Sequence, residues 1–169
     1  MPTAISKEHI CILRSIAKAG FEYDSTKELA SVGQWVLVDD EFDLGFLRFN
    51  IDIFAGESFR TLIVEIGKNG GPQFAFVSLF CFPDRDEQIA DFDAAFQSVT
   101  QDLERVVGDP SSSGKYGYQH RKWLYSYCWW SLPEVELVLV QDEFDIQNGF
   151  DITLWVRSTG TPKDLPMRP

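Results

Sequence analysis

Histidine is nearly missing from this chain: 169 residues contain two, His9 and His120. A Ser–His or Cys–His dyad would need one of them. His9 falls in the first turn of an expected surface helix with no supporting cluster, and no G-x-S-x-G elbow occurs. Hydrolysis by that route is not expected. Cysteine is scarce too. Cys11, Cys81 and Cys128 stand alone with no C-x-x-C pair, which excludes a structural zinc site by spacing. They read as buried, reduced thiols of a cytoplasmic protein. Basic residues are outnumbered, 15 Lys and Arg against 26 Asp and Glu, for a net charge of −11. Such a surface repels nucleic acid and anionic lipid and steers towards basic partners. No apolar run approaches the roughly 20 residues of a membrane span, and the first nine residues carry no apolar signal core. The glycines at 67, 70 and 71 sit between two strand-like segments, not between a strand and a helix. A dinucleotide or phosphate cradle is therefore not expected, nor any cofactor.

What is present is apolar and aromatic. Hydrophobic residues make up 44% and aromatics 14%, with 14 Phe and 5 Trp, enough for one ordinary domain with a real core. Ser6 to Ala19 reads as a helix capped by Ser6, with Ile10, Leu13 and Ala17 on one face and Gly20 as a stop. Lys27 to Ser31 reads as a helical turn. Strands are expected over Gln34–Asp39, Phe46–Phe54, Phe59–Ile66 and Gln73–Phe82. Asp84 to Val107 is an amphipathic helix with Ile89, Phe92, Phe96, Val99, Leu103 and Val106 as its stripe and a capping box at Asp84 and Glu87. Residues 109–114 read as a flexible loop. One long or two short strands follow over Tyr116–Trp130, then strands over Glu134–Gln141 and Phe150–Arg157. The expected fold is α+β, a mostly antiparallel sheet of about seven strands with two main helices in the order α-ββββ-α-βββ. It forms one domain over residues 1–160, with a frayed tail over 161–169.

Two stretches nearly rhyme: VLVDDEFDL over Val36–Leu44 and VLVQDEFDI over Val138–Ile146. Each reads as a buried Val-Leu-Val, an acidic turn and a following strand, which would suit a duplicated helix-plus-meander unit or independent use of one hairpin. Calcium needs spaced oxygen ligands over about a dozen residues, and DEFD lacks that spacing, so no metal is expected. The candidate partner-binding residues are the acids Asp39, Asp40, Glu41, Asp43, Asp142, Glu143 and Asp145. Tyr118, Arg121 and Trp123 join them from the one basic, aromatic stretch, because such residues dominate interface hot spots. Acids on the outer surface of the long helix, Asp84 to Glu104, could meet the same partner. Spatially assembled carboxylates could instead serve a hydrolase, a weaker reading with 26 acids to choose from.

In size, acidity and α+β build, and in stretches such as WWSLPEVELVLVQDEFD, the chain resembles the small acidic immunity proteins of bacterial polymorphic-toxin and contact-dependent inhibition systems. No residue of that family can be carried over, because no diagnostic motif matches. The resemblance implies a non-enzymatic antidote that binds a cognate, basic toxin tightly in the cytoplasm. Small acidic chaperones of type III secretion look similar in size and charge. The apolar strands Phe74–Phe82 and Tyr125–Trp130 would then hold an effector segment, and the chaperone would be a dimer where an antidote need not be.

Overall fold

Ser6 caps the first helix, α1 (Lys7–Lys18), by accepting from the His9 amide through its side chain. Its end is equally local. Gly20 and Phe21 both take positive φ, and the Phe21 amide donates back to the Ile16 carbonyl, which folds the fully buried Phe21 ring under the last turn. In the computed structural model, residues 5–51, 60–66, 73–82, 89–117, 124–145 and 149–159 are described.

Helix α2 (Tyr23–Val32) is a full helix where only a turn was expected over Lys27–Ser31. Glu22 replaces a serine cap: its carboxylate accepts from the Asp24 and Ser25 amides. The strands are β1 (Val36–Glu41), β2 (Phe46–Ile51), β3 (Arg60–Ile66) and β4 (Gln73–Phe82). Helix α3 (Ile89–Val107) follows, with the expected stripe of Phe92, Phe96, Val99 and Leu103 buried; its expected capping box lies outside the described residues. The chain closes with β5 (Ser112–Tyr116), β6 (Tyr125–Ser131), β7 (Val135–Asp145) and β8 (Gly149–Ser158). The α+β expectation holds with an added helix and an eighth strand. That strand, β5, takes half of what reads as a Ser- and Gly-rich loop. The expected tail, 161–169, lies outside the described residues.

All eight strands form one antiparallel sheet in the order β1-β2-β3-β4-β8-β7-β6-β5. Two meanders meet at the β4–β8 seam, and each is open at its first strand. One row of cross-strand partners runs the whole width: Leu37, Phe49, Leu62, Val77, Leu154, Leu139, Cys128 and Ser113. Its middle six residues are buried and its two ends are exposed. The helices pack on this face. The α3 Thr100 hydroxyl lies 3.8 Å from the Cys128 sulfur, Ser158 donates to the Ala17 carbonyl of α1, and Trp35 meets Phe49 edge-on at 6.4 Å.

The opposite face is carpeted by aromatics. Phe76 stacks on Trp155 at 4.7 Å, and the Arg157 guanidinium lies 4.3 Å over Trp129. Arg157 is buried and pairs with Glu136 at 2.7 Å. Truncating either partner would strand a charge in a dry site, a loss of about 3–5 kcal/mol.

The two rhyming stretches land on strands that do not correspond. The first is edge strand β1 with its turn. The second is β7, third from the other edge, and its DEFD continues as strand, with Asp145 opposite Gly149 and a bulge after Asp142. Among the described residues the expected acidic turn is therefore found at residues 42–45 and not at 142–145, which are strand.

Candidate functional site

Chemistry-bearing side chains concentrate where β1 meets α2. Among the described residues strand β1 pairs only with β2, and Val38 is an extra residue in the ladder, inserted between Leu37 opposite Phe49 and Asp39 opposite Arg48. The expectation of a buried first Val-Leu-Val fails here. Val36, Leu37 and Val38 are 57%, 37% and 47% exposed, with Val36 and Leu37 on opposite faces of the sheet. Among the described residues no second strand covers this edge, and α2, which reaches it at Asp40 and Phe42, leaves the triplet exposed. Val32 at the end of α2, and Phe42 and Leu44 in the turn, are exposed as well. Six of the seven large apolar residues exposed among the described part of the chain fall within Val32–Leu44.

This edge is held in place from the helix side. The Tyr23 hydroxyl donates to Asp40 Oδ2 at 2.5 Å, and Lys27 Nζ donates to both Asp40 Oδ2 and the Tyr23 hydroxyl at 3.0 Å. The Tyr23 ring meets Phe42 edge-on at 4.7 Å. First the Tyr23 hydroxyl and then the Lys27 ammonium hold the Asp40 carboxyl below its ordinary value. The same hydrogen bonds, Tyr23 before Asp40, raise the Lys27 amine. Below, Gly45 at φ 91° closes the turn, donating to the Glu41 and Phe42 carbonyls and accepting from the Ile66 amide. The exposure of Val-Leu-Val is thus a property of a pinned strand, not of a frayed one.

The candidate acids divide. Asp39 pairs with Arg48 at 2.7 Å and Asp40 with Lys27, while Glu41 and Asp43 are exposed beside the apolar triplet. Asp142 was expected at a solvated tip and is buried instead. It lies opposite Asp151, also buried, whose Oδ1 accepts from the Ser78 hydroxyl at 3.3 Å. The side chains of Glu143 and Asp145, and Tyr118, Arg121 and Trp123 entirely, lie outside the described residues. Helix α3 is less acidic outside than expected. Asp102 is buried and held by Arg105 at 2.6 Å, and Asp93 accepts from Gln141.

Gln141 is a residue that sequence reasoning passed over. Its carbonyl accepts from the Tyr116 hydroxyl. Its side chain accepts from the Ser126 amide at 2.8 Å and donates to Asp93 at 2.8 Å. It joins β5, β6 and β7 to the start of α3. The signal was available: glutamine is the one polar replacement in an otherwise matched apolar-acidic stretch.

Other groupings supply less chemistry. A shallow cleft of about 240 Å³ on the outside of α1 is lined by Cys11, Arg14, Ser15, Lys18 and Glu134. Cys11 is exposed, against the expectation of three buried thiols; Cys128 is buried, and burial pushes its thiol up. The Ser15 hydroxyl is spent on the Cys11 carbonyl and Lys18 on Glu134. Ser6 and His9 touch at 2.7 Å, but that serine is the α1 cap and the ring stacks near Trp35. Among the described residues no three His, Cys, Asp or Glu side chains converge as metal ligands, and no helix is long and apolar enough to cross a membrane.

Comparison with protein-family models, with curated proteins and with solved structures finds no match for this chain.

Proposed function

We propose that the chain is a non-enzymatic protein-binding protein of the immunity type, which neutralises a basic toxin by direct, stoichiometric contact in the cytoplasm. The observation that carries this reading is the β1 corner. An apolar strand edge, pinned in place, lies directly beside Glu41 and Asp43 on a chain of net charge −11. Apolar patches of this kind mark docking sites, and acids at their rim speed the approach of a cationic partner. The chaperone reading draws less support, since Phe74, Tyr125, Cys128 and Trp130 of the strands that motivated it are buried in the middle of the sheet.

The test is co-expression with a basic toxin domain encoded beside this gene, scored by survival, followed by association kinetics on the purified pair. Glu41→Lys with Asp43→Lys should slow association about tenfold or more at low salt and leave the difference small at high salt. Survival without a complex, or kinetics unmoved by the double reversal, would remove the β1 corner from this role.

A further inference from the structure

We infer that β1 receives its partner by strand addition: an extended, apolar and basic segment of another protein pairs with the free edge of β1 and extends the sheet to a ninth strand. This rests on the protein-binding reading above and specifies its geometry.

Sheet edges are a hazard that folds usually manage with polar, short or covered strands. The two edges of this sheet differ in that respect. At the β5 edge, Ser112, Ser113, Gly114 and Lys115 are exposed and none is a large apolar residue. At the β1 edge, three consecutive large apolar side chains are exposed on both faces. An added strand would cover both faces of that triplet at once and satisfy the outward amides and carbonyls of β1. The edge is also preorganised. Tyr23 and Lys27 fix Asp40 from one side and Arg48 fixes Asp39 from the next strand, so little ordering cost remains on binding.

Charge selects the occupant. A second copy of the chain, paired antiparallel on the same edge, would bring two Asp39-Asp40-Glu41 runs into one short duplex and join two chains of −11 each. Lys27 and Arg48 already serve Asp40 and Asp39 within each copy. A segment with Val, Ile or Leu opposite the triplet and Lys or Arg beyond it meets Glu41 and Asp43 with opposite sign. The bulge at Val38 twists the edge, which shortens the stretch of regular pairing available and favours a short segment over a long self-paired one.

The experiment uses the full chain and a capped eight-residue peptide with three consecutive valines flanked by lysines, followed by amide-resolved NMR and hydrogen exchange. Binding should shift the amides of residues 36–43 and slow exchange of those β1 amides that do not bond β2. The same peptide N-methylated on alternate residues, which keeps charge but removes one bonding edge, should lose this protection. A Val and Glu peptide should not bind. Val36→Lys with Val38→Lys, both at exposed positions, should abolish binding while urea melting stays unchanged. Binding that survives N-methylation, protection elsewhere in the sheet, or a β1-dependent dimer by sedimentation would each overturn the inference. If the cognate toxin is bound while its complex leaves the β1 amides exchanging freely, strand addition fails and the neutralising function stands. If the peptide pairs with β1 but no toxin is neutralised, the reverse holds.

Discussion

Leu37 and Leu139 occupy the same place in two nearly identical sentences of sequence, and both belong to the same cross-strand row of the sheet. One is 37% exposed at the end of that row and the other is 0% exposed near its middle. Their neighbours behave alike: Val36 and Val38 are open, Val138 and Val140 closed. Nothing local distinguishes the triplets. Burial comes from position: among the described elements β7 has β6 and β8 on either side and α3 packed at Gln141, while β1 has β2 on one side only and α2 touching it beyond the triplet, at Asp40. An apolar triplet therefore reports that a strand can be buried, and only topology reports that it is. On β1 the same triplet is left open on a pinned edge.

The largest expected difference is at the two leucines themselves. Leu139→Ala removes a side chain closed in on both sides and from above and should cost about 2–5 kcal/mol. Leu37→Ala should change stability by about 0.5 kcal/mol or less, as surface changes do. Urea midpoints at constant slope measure both. Equal losses would mean that β1 is covered in solution and that the contrast is false.

The residue after each triplet sharpens the contrast. Gln141→Ala leaves the half-buried Ser126 amide without its acceptor and should cost about 1–3 kcal/mol. Asp39→Ala breaks a half-exposed pair with Arg48, for which about 1 kcal/mol is an upper figure. Exchanging the two, Asp39→Gln and Gln141→Asp, should reproduce this asymmetry. The second variant would be the damaging one, because aspartate is too short to reach both the Ser126 amide and Asp93 and would add charge beside that acid. Comparable effects from the two exchanges would make the rhyme a true structural equivalence.

This asymmetry also marks how far the sequence could be read. Helix α3 and strand β4 were legible because their patterns are strong: a stripe at three and four, and ten residues of near-continuous apolar strand between turn residues. Helix α2 was legible only as a turn because it buries little, Thr26 and Ala30, and is capped by a glutamate that sequence rules rank low. Strand β5 was hidden because Ser-Ser-Gly has no strand preference of its own and is a strand by virtue of pairing with β6. Of the candidate site, the acids Asp39 to Asp43 were legible as exposed charge. The exposure of Val36 to Val38 was not, because edge position is a property of the whole sheet order. Asp142 was misplaced for the same reason, since the stretch whose strand ends at Glu41 in β1 runs on as strand to Asp145 in β7.

The smallest effect should be seen in acid, and only at one of the two regions. Asp40 has its carboxyl depressed by Tyr23 and Lys27. Its contribution is full above the ordinary carboxylate value and is lost as pH falls through the depressed one. Lys27 is raised, so its share is present below the ordinary lysine value and disappears only as pH climbs through the raised one. Between those limits the Tyr23–Lys27–Asp40 contact is intact. On acidification through the carboxylate range, β1 amides should begin to exchange faster while those of Val138 to Val140, fully buried between β6 and β8, keep their protection. Asp40→Asn should show the loosened β1 at neutral pH and no further change in acid. Should β1 and β7 loosen together in wild type, the edge would not be an independently held element, and its open triplet would be a consequence of global fraying instead of a built surface.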